Sequence, residues 1–411
     1  LVHQRYTKQE ILSLYATHAP FGGNVVGLEA AAWRYFGRSP HHLSWAEAAT
    51  LAVLPNSPAL IHPGRNRTKL LEKRNRLLLR LASQGHLDSE TLQLAISEPL
   101  PLRPHPIPNR APHLLSHHRK GIHRSHTQTT IDHELQVMAT DVVLRHHQSL
   151  ANNGIQNAAA MVMDVKTGEV LAYVGNVPKF SPALHHNHVD IIHSRRSTGS
   201  VLKPLLYSAM LRDGELMPDQ LIPDIPTRVG GFAPLNFGRS YDGAVPASKA
   251  LARSLNVPAV RMLRAYGLDR FYAELESVGM TSLSKPASHY GLSLILGGSE
   301  ASLWELTGIY AGLARALNGE ESGYLGTSWF QPSYLTHSDR PIKKANSKES
   351  YRSDPGALYQ TMTALLEVNR PGLESGWRQF ASSHPIAWKT GTSFGFRDAW
   401  AIGVTPEYAV G

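Results

Sequence analysis

The sequence predicts an α+β protein, an antiparallel sheet flanked by helices and preceded by a mostly helical region. Three observations predict it. Residues 1–100 carry apolar positions at helical spacing. Residues 128–411 begin and end with β-patterned runs and hold helical patterns between them. Residues 101–127 change character: Pro101, Pro104, Pro106, Pro108 and Pro112 stand among many His and Arg, a linker composition. A chain of 411 residues is too long for one ordinary core, which agrees with two or three domains.

In the first region, Ile11, Leu12 and Tyr15 follow helical spacing within Glu10–Tyr15. Ser44-Trp-Ala-Glu47 reads as a capping box opening the Ala-rich stretch to Leu54. Thr68–Ser83 repeats Leu70, Leu71, Leu77, Leu78 and Leu81 at helical spacing and stops at Gly85, a C-cap. Asp88 opens another short helix. In the second region, Asp132–His147 reads as a helix. Ala158–Asp164 and Glu169–Val174 read as a hairpin around Lys166-Thr-Gly168. Helical patterns recur at Ser200–Arg212, Ala247–Ser254, Val260–Tyr266 and Leu303–Asn318. Strands return at Ile386–Lys389 and Ala399–Val404, and Tyr408–Gly411 looks like a strand that has just begun. With Leu1 at the other end, both termini read as cut, so an unfinished sheet with unpaired backbone is expected.

Cysteine is absent, which excludes a disulfide framework, thiolate catalysis and thiolate zinc sites. A formal net charge of +9 favours anionic partners such as lipid head groups or acidic polymers. Arg65, Arg67, Lys69, Lys73, Arg74, Arg76 and Arg80 read as a solvated basic helix face that could also approach an anionic membrane surface. No aromatic interleaving or motif argues for nucleic acid. No run of about 18 apolar residues is present, so no transmembrane helix is expected within these residues.

Three short pieces carry chemistry: Ser200-Val-Leu-Lys203, Ser254-Leu-Asn256 and Lys389-Thr390-Gly391-Thr392. Each alone is weak. Together they supply what a serine acyl-transfer enzyme without histidine needs: a nucleophile, a base, a proton shuttle and an anion clamp. On a helix, Ser200 and Lys203 would share one face. A helix N-terminus offers free N–H groups to a developing oxyanion. Lys203 acts as a base only if partly neutral, which burial and a second cation such as Lys389 would favour. Ser254 can relay a proton and Asn256 can hold a substrate amide. On an edge strand, Gly391 would let a substrate backbone lie close, while Lys389, Thr390 and Thr392 would bind a carboxylate. The N–H of Thr392 could complete an oxyanion hole with that of Ser200.

Two decoys share these patterns. Ser282-Leu-Ser-Lys285, followed by Pro286, reads as a loop. Lys166-Thr-Gly168 lies between strand runs and reads as turn chemistry. His185-His-Asn-His188 with Asp190 invites a metal reading. It is taken as a solvated loop, since no metal-hydrolase motif accompanies it.

With these flanks the chain resembles a class A penicillin-binding protein, most closely the 1C subgroup, over nearly its whole length. The match rests on Ser197-Thr-Gly-Ser-Val-Leu-Lys-Pro204, Phe232-Ala-Pro-Leu-Asn-Phe237, Ser254-Leu-Asn-Val-Pro-Ala-Val260, Leu296-Gly-Gly298 and the run from Ile386 to Trp400. The N-terminal part resembles the end of the family's lysozyme-like glycosyltransferase domain. Lys8–Tyr15, Ala19–Asn24, Ala30–Gly37 and Ala46–Ala49 carry that likeness. Thr17 stands where the family usually has Asn, and Thr198 where Pro is common.

The resemblance implies a beta-lactamase-like transpeptidase domain over 128–411, a linker over 101–127 and a glycosyltransferase portion over 1–100. The family's catalytic glutamate motifs would lie upstream, so no polymerising activity is expected from these residues. It implies a D,D-transpeptidase with Ser200 as acylated nucleophile, Lys203 as base, Ser254 and Asn256 as second motif and Lys389–Thr392 as third. No cofactor and no metal are implied. Implied partners are peptidoglycan stem peptides and glycan strands, beta-lactams and, for the full-length protein, a lipid-linked precursor. The implied location is the periplasmic face of the bacterial inner membrane, through an N-terminal anchor outside this chain. The catalytic motifs alone also fit a serine beta-lactamase, a D,D-carboxypeptidase or a non-catalytic penicillin-binding sensor.

Overall fold

In a computed structural model the described residues are 5–56, 58, 60–106, 108–119, 127–177, 186–336, 350–369 and 384–411. The chain divides into two compact units, Leu1–Asn109 and Arg110–Gly411.

The first unit is helical, as its spacing predicts. Helices run over Lys8–His18, Leu28–Phe36, Trp45–Val53, Arg67–Ser83 and Ser89–Ser97, with a small hairpin of Pro20–Gly22 and Val25–Val26. The Ser44 capping box forms: Ser44 Oγ accepts from Glu47 N, and Glu47 accepts from Ser44 N. Asp88 caps the last helix through Thr91 N. Ala31, Ala32, Leu51, Leu54 and Leu70 form one core, and Ala46, Ala49 and Leu78 seed a second. The basic stretch is not wholly a solvated face. Arg74 is buried and donates to the carbonyls of Ile96 and Glu98, closing the end of the Ser89–Ser97 helix. Arg67 donates to the carbonyls of Pro63, Leu100 and Pro101.

In the second unit the elements used below are α1 (Pro112–Arg119), α2 (His133–Leu150), β1 (Ala160–Asp164), β2 (Val170–Val174), α3 (Lys203–Arg212), α4 (Asn256–Tyr266), α5 (Leu303–Asn318), α6 (Pro355–Leu365), β3 (Ala387–Thr392), β4 (Ala399–Val404) and β5 (Tyr408–Val410). The strands form one antiparallel sheet in the order β3-β4-β5-β1-β2. Helices α1 and α2 pack on β2, and α5 lies against β1, β4 and β5. A single large core joins Met161, Met163 and Ile402 of the sheet to Leu205, Leu306, Ile309 and Leu358 of the helices. The α+β class therefore holds.

One expectation fails here. The stretch 101–127 contains a packed helix, α1, because Pro112 suits a first helical turn and His113 and Leu114 bury against the domain. The last strand is short and is not a sheet edge. Tyr408–Val410 pairs with β4 on one side and β1 on the other, so it is internal, and the sheet edges are β3 and β2. Lys166-Thr-Gly168 is a turn: Asp164 Oδ1 accepts from Thr167 N and Oγ1, and Gly168 takes φ +73°. Ser282–Lys285 is a loop in which Ser282 holds Glu305, the capping residue of α5, while Lys285 is exposed.

Candidate active site

Ser200 sits in a turn rather than in the predicted helix. Helix α3 starts at Lys203, and Lys203 N donates to Ser200 O at 3.3 Å across that turn. The turn is held from several sides. Val201 O accepts from the buried Tyr310 hydroxyl of α5 at 2.7 Å, and Ser197 O accepts from Trp400 Nε1 at 2.8 Å. Thr198, where the sequence departs from the expected Pro, is fully buried and donates its N–H to Ser299 O at 3.1 Å. A proline has no such donor.

Three glycines let backbone crowd around this turn. Gly199 has φ +54°, and a Cβ there would lie 2.6 Å from Thr392 N. A Cβ on Gly297 would lie 2.7 Å from Gly199 N, and one on Gly391 would lie 2.7 Å from Thr198 O. Gly391 is thus required by the protein's own nucleophile turn, a different reason from the substrate approach expected from sequence. Edge strand β3 therefore runs directly beside Ser200. Burial alternates along it: Lys389 and Gly391 face inward, Thr390 is half-buried and Thr392 exposed. Among the described residues, neither the Ser200 hydroxyl nor its N–H makes a hydrogen bond.

Two buried lysines converge on Ser254. Lys389 Nζ donates to Ser254 Oγ at 2.7 Å and to Thr390 O at 2.9 Å. Lys203 Nζ lies 3.5 Å from the same Oγ and donates to Ser254 O and Asn256 Oδ1, both at 2.8 Å, and to Leu255 O at 3.2 Å. Lys203 is 3% exposed and Lys389 0%, so water stabilises neither charge. Burial lowers Lys389 to about 7. Burial, then the neighbouring Lys389 cation, pushes Lys203 well below the ordinary lysine value. Ser254 itself has φ +58°, a left-handed conformation that costs a non-glycine residue roughly 1–2 kcal/mol.

Asn256 opens α4, with Oδ1 on Lys203 and Nδ2 donating to Leu235 O at 2.8 Å. One amide N–H remains for another acceptor. The loop beneath is organised by Asn236, which the sequence reading did not single out as a site residue. Its Oδ1 accepts from the N–H groups of Asn256 and Val257, and its Nδ2 donates to the buried Asp224 and to Ser240 O. Phe237, next in the chain, meets Phe396 edge-to-face with centroids 6.1 Å apart. Both are largely exposed, as is Phe394. The structure thus brings together Ser200, Lys203, Ser254, Asn256, Lys389 and Gly391, with Thr390 and Thr392 on the adjoining strand edge.

Both parts of the chain match known families. Residues 158–407 match the penicillin binding protein transpeptidase domain, and residues 1–82 match the transglycosylase family. The chain belongs to the class A penicillin-binding proteins. Penicillin-binding protein 1C of Escherichia coli is 37% identical over 98% of this chain and 50% of its own length. Penicillin-binding protein 1B of Haemophilus influenzae is 25% identical over 97% of this chain and 53% of its own length. The chain thus spans about half the length of these curated relatives. The crystal structure of penicillin-binding protein 1A from Haemophilus influenzae shares the fold, with a TM-score of 0.57 at 20% identity, over 98% of this chain and 80% of that one.

Among the described residues, 186–188 contribute to no group of metal-ligating side chains. His185 lies outside the described residues, and His186 and His188 are exposed. Asp190 is instead grouped with His117 and His193.

Proposed function

We propose that this penicillin-binding protein is a serine D,D-transpeptidase that cross-links peptidoglycan stem peptides through an ester on Ser200. The carrying observation is the convergence of two buried, pKa-lowered lysines on Ser254, beside a serine turn whose hydroxyl and N–H are unspent. Lys203, neutral in part, exchanges one of its present acceptors for the Ser200 hydroxyl and takes its proton. Such catalytic hydrogen bonds tighten when substrate binds. Ser200 Oγ attacks the carbonyl of the penultimate D-Ala. The developing oxyanion lies between the N–H groups of Ser200 and Thr392. The C–N bond breaks, and the departing D-Ala amine receives its proton through Ser254. An amine from a neighbouring stem then attacks the ester and releases Ser200, its own proton returning by the same route.

Lys389 supplies positive charge at the edge of β3, where Thr390 and Thr392 hold the terminal carboxylate and the free N–H of Asn256 holds a substrate amide. A beta-lactam forms the same ester, which persists on Ser200. In the longer protein this domain works with glycosyl transfer from a lipid-linked precursor, at the periplasmic face of the inner membrane.

Labelling with a fluorescent penicillin followed by peptide mapping tests the proposal. One label on Ser200, absent in Ser200→Ala, is expected. Equal labelling of Ser200→Ala, or none of the unaltered chain, refutes it. Transfer of the acyl group from a stem peptide to an acceptor amine separates a transpeptidase from a carboxypeptidase or a sensor. Rapid turnover of a chromogenic beta-lactam marks a lactamase.

A further inference from the structure

The geometry points to a zinc site, distinct from the serine centre, formed by His117, Asp190 and His193. One ligand atom from each lies within 4.8 Å of the others, and each residue is half-buried. A second observation is independent of that spacing. His193 Nε2 is buried and has no hydrogen-bond partner, a state that is costly for a polar atom unless something binds it.

The surroundings resemble a prepared ligand shell. Asp190 Oδ2 accepts from the Tyr173 hydroxyl and Oδ1 accepts from Ile192 N at 3.0 Å, which fixes the carboxylate. Ligand carboxylates are oriented by such outer partners in known metal sites. The rings of Trp304 and Tyr334 wall the histidines, Trp304 at 4.9 Å from His193 and Tyr334 at 6.1 Å from His117. Gly175 lets the segments meet, since a Cβ there would lie 2.4 Å from His113 Cβ and 2.9 Å from Asp190 Oδ1. His113 in turn bonds Asn187 O at 2.8 Å, fixing α1 to the loop that carries Asp190.

Two imidazoles and one carboxylate suit zinc better than magnesium or calcium, which take oxygen shells. Zinc bonds of about 2.0–2.2 Å place tetrahedral donors roughly 3.4 Å apart. Binding therefore draws the three groups inward by about 1 Å and tilts the histidine rings, now stacked 4.1 Å apart with planes 8° from parallel, toward one point. Water fills the fourth position. The ion would tie α1 to the segment that leads through Arg196–Ser197 to the Ser200 turn, a structural staple rather than a reagent.

The test is zinc titration of the untagged 411-residue chain, stripped with chelator, by calorimetry, with cobalt(II) absorption as a second readout of geometry. One zinc per chain is expected. His193→Ala and Asp190→Asn should abolish it, and Tyr173→Phe should weaken it about 10–100-fold. The double variant His186→Ala/His188→Ala should bind as the parent does. Circular dichroism reports whether each variant folds, and the size-conserving Asp190→Asn and Tyr173→Phe keep the test decisive should His193→Ala fail to do so. Absence of binding in the parent overturns the site. So does unchanged affinity in Asp190→Asn and Tyr173→Phe, which would leave a packed histidine pair only. Loss of binding in the 186/188 variant would assign the zinc to the exposed loop and also overturn it.

Discussion

Lys389 donates to the Ser254 hydroxyl at 2.7 Å although 135 residues separate the two. Lys203 Nζ lies 3.5 Å from the same oxygen. Two ammonium groups cannot both stay charged in so dry a site. The Lys389 cation depresses Lys203, which leaves the remaining proton on Lys389 up to about pH 7.

That order of deprotonation predicts the pH profile of acylation. Rate should rise as Lys203 becomes neutral and fall as Lys389 loses its proton near pH 7, because the carboxylate clamp then loses its charge. In Lys389→Arg the guanidinium stays charged, so the alkaline limb should move well above neutrality even if the overall rate drops. Second-order acylation by a fluorescent penicillin, measured against pH, checks this. An identical alkaline limb in both proteins would remove Lys389 from the mechanism.

The same burial makes the site a cost to folding. The folded pKa of Lys389 is about 7, below its ordinary 10.5, so the unfolded chain binds more protons between those values. Stability from this group is therefore full above the unfolded pKa and is lost as pH falls to the folded one. The slope is at most about 1.4 kcal/mol per pH unit for one proton. Lys389→Met should be more stable than the parent at pH 7, with the difference shrinking toward pH 10. Urea midpoints across that range report it, while acylation of the variant should be lost.

Gly199 and Gly391 give a prediction about backbone. A methyl on Gly199 meets Thr392 N at 2.6 Å, and φ there is +54°. Gly199→Ala should cost about 1–3 kcal/mol and slow acylation at least 100-fold by moving Ser200. Gly214→Ala is the comparison: its φ is +73° but nothing lies within 4 Å. It should cost only about 1 kcal/mol and leave acylation unchanged. Chemical denaturation and labelling rates on both variants separate strain from clash.

Local chemistry made much of the fold legible. Helix α5 begins where Ser302 and Glu305 form a capping box, and it spans the residues its apolar spacing marks. Strand β4 likewise matches its pattern. Helix α3 starts three residues later than its spacing predicts because Ser200–Leu202 make a turn, and i,i+3 spacing does not distinguish a turn from a helix. Within the site, the motif order pointed to Ser200, Ser254 and Lys389. Asn236 escaped because its role lies in distant partners, Asp224 and the backbone of Asn256 and Val257, and nothing local in Asn-Phe-Gly marks it. His117 escaped because it lies in a stretch whose prolines read as linker, while the clustered histidines at 185, 186 and 188 carry the louder signal.

Phe237 and Phe396 bring the last prediction. Phe237 follows the asparagine that organises the Asn256 loop, and Phe396 lies in the turn after β3. Their edge-to-face contact joins the loop that holds Asn256 to the turn after β3. Exposure of 84% and 76% gives them almost no folding value, so truncation should change stability by less than about 0.5 kcal/mol. Exposed apolar rings beside a binding site gain by covering a ligand. Phe237→Ala/Phe396→Ala should therefore raise the concentration of penicillin or stem peptide needed for half-maximal acylation by about 10-fold or more. The limiting acylation rate should change much less, since neither ring touches Ser200, Lys203 or Ser254. A fall in the limiting rate with unchanged half-saturation would instead mean that the pair positions the Asn256 loop, and melting temperatures of the double variant would show whether that loop had loosened.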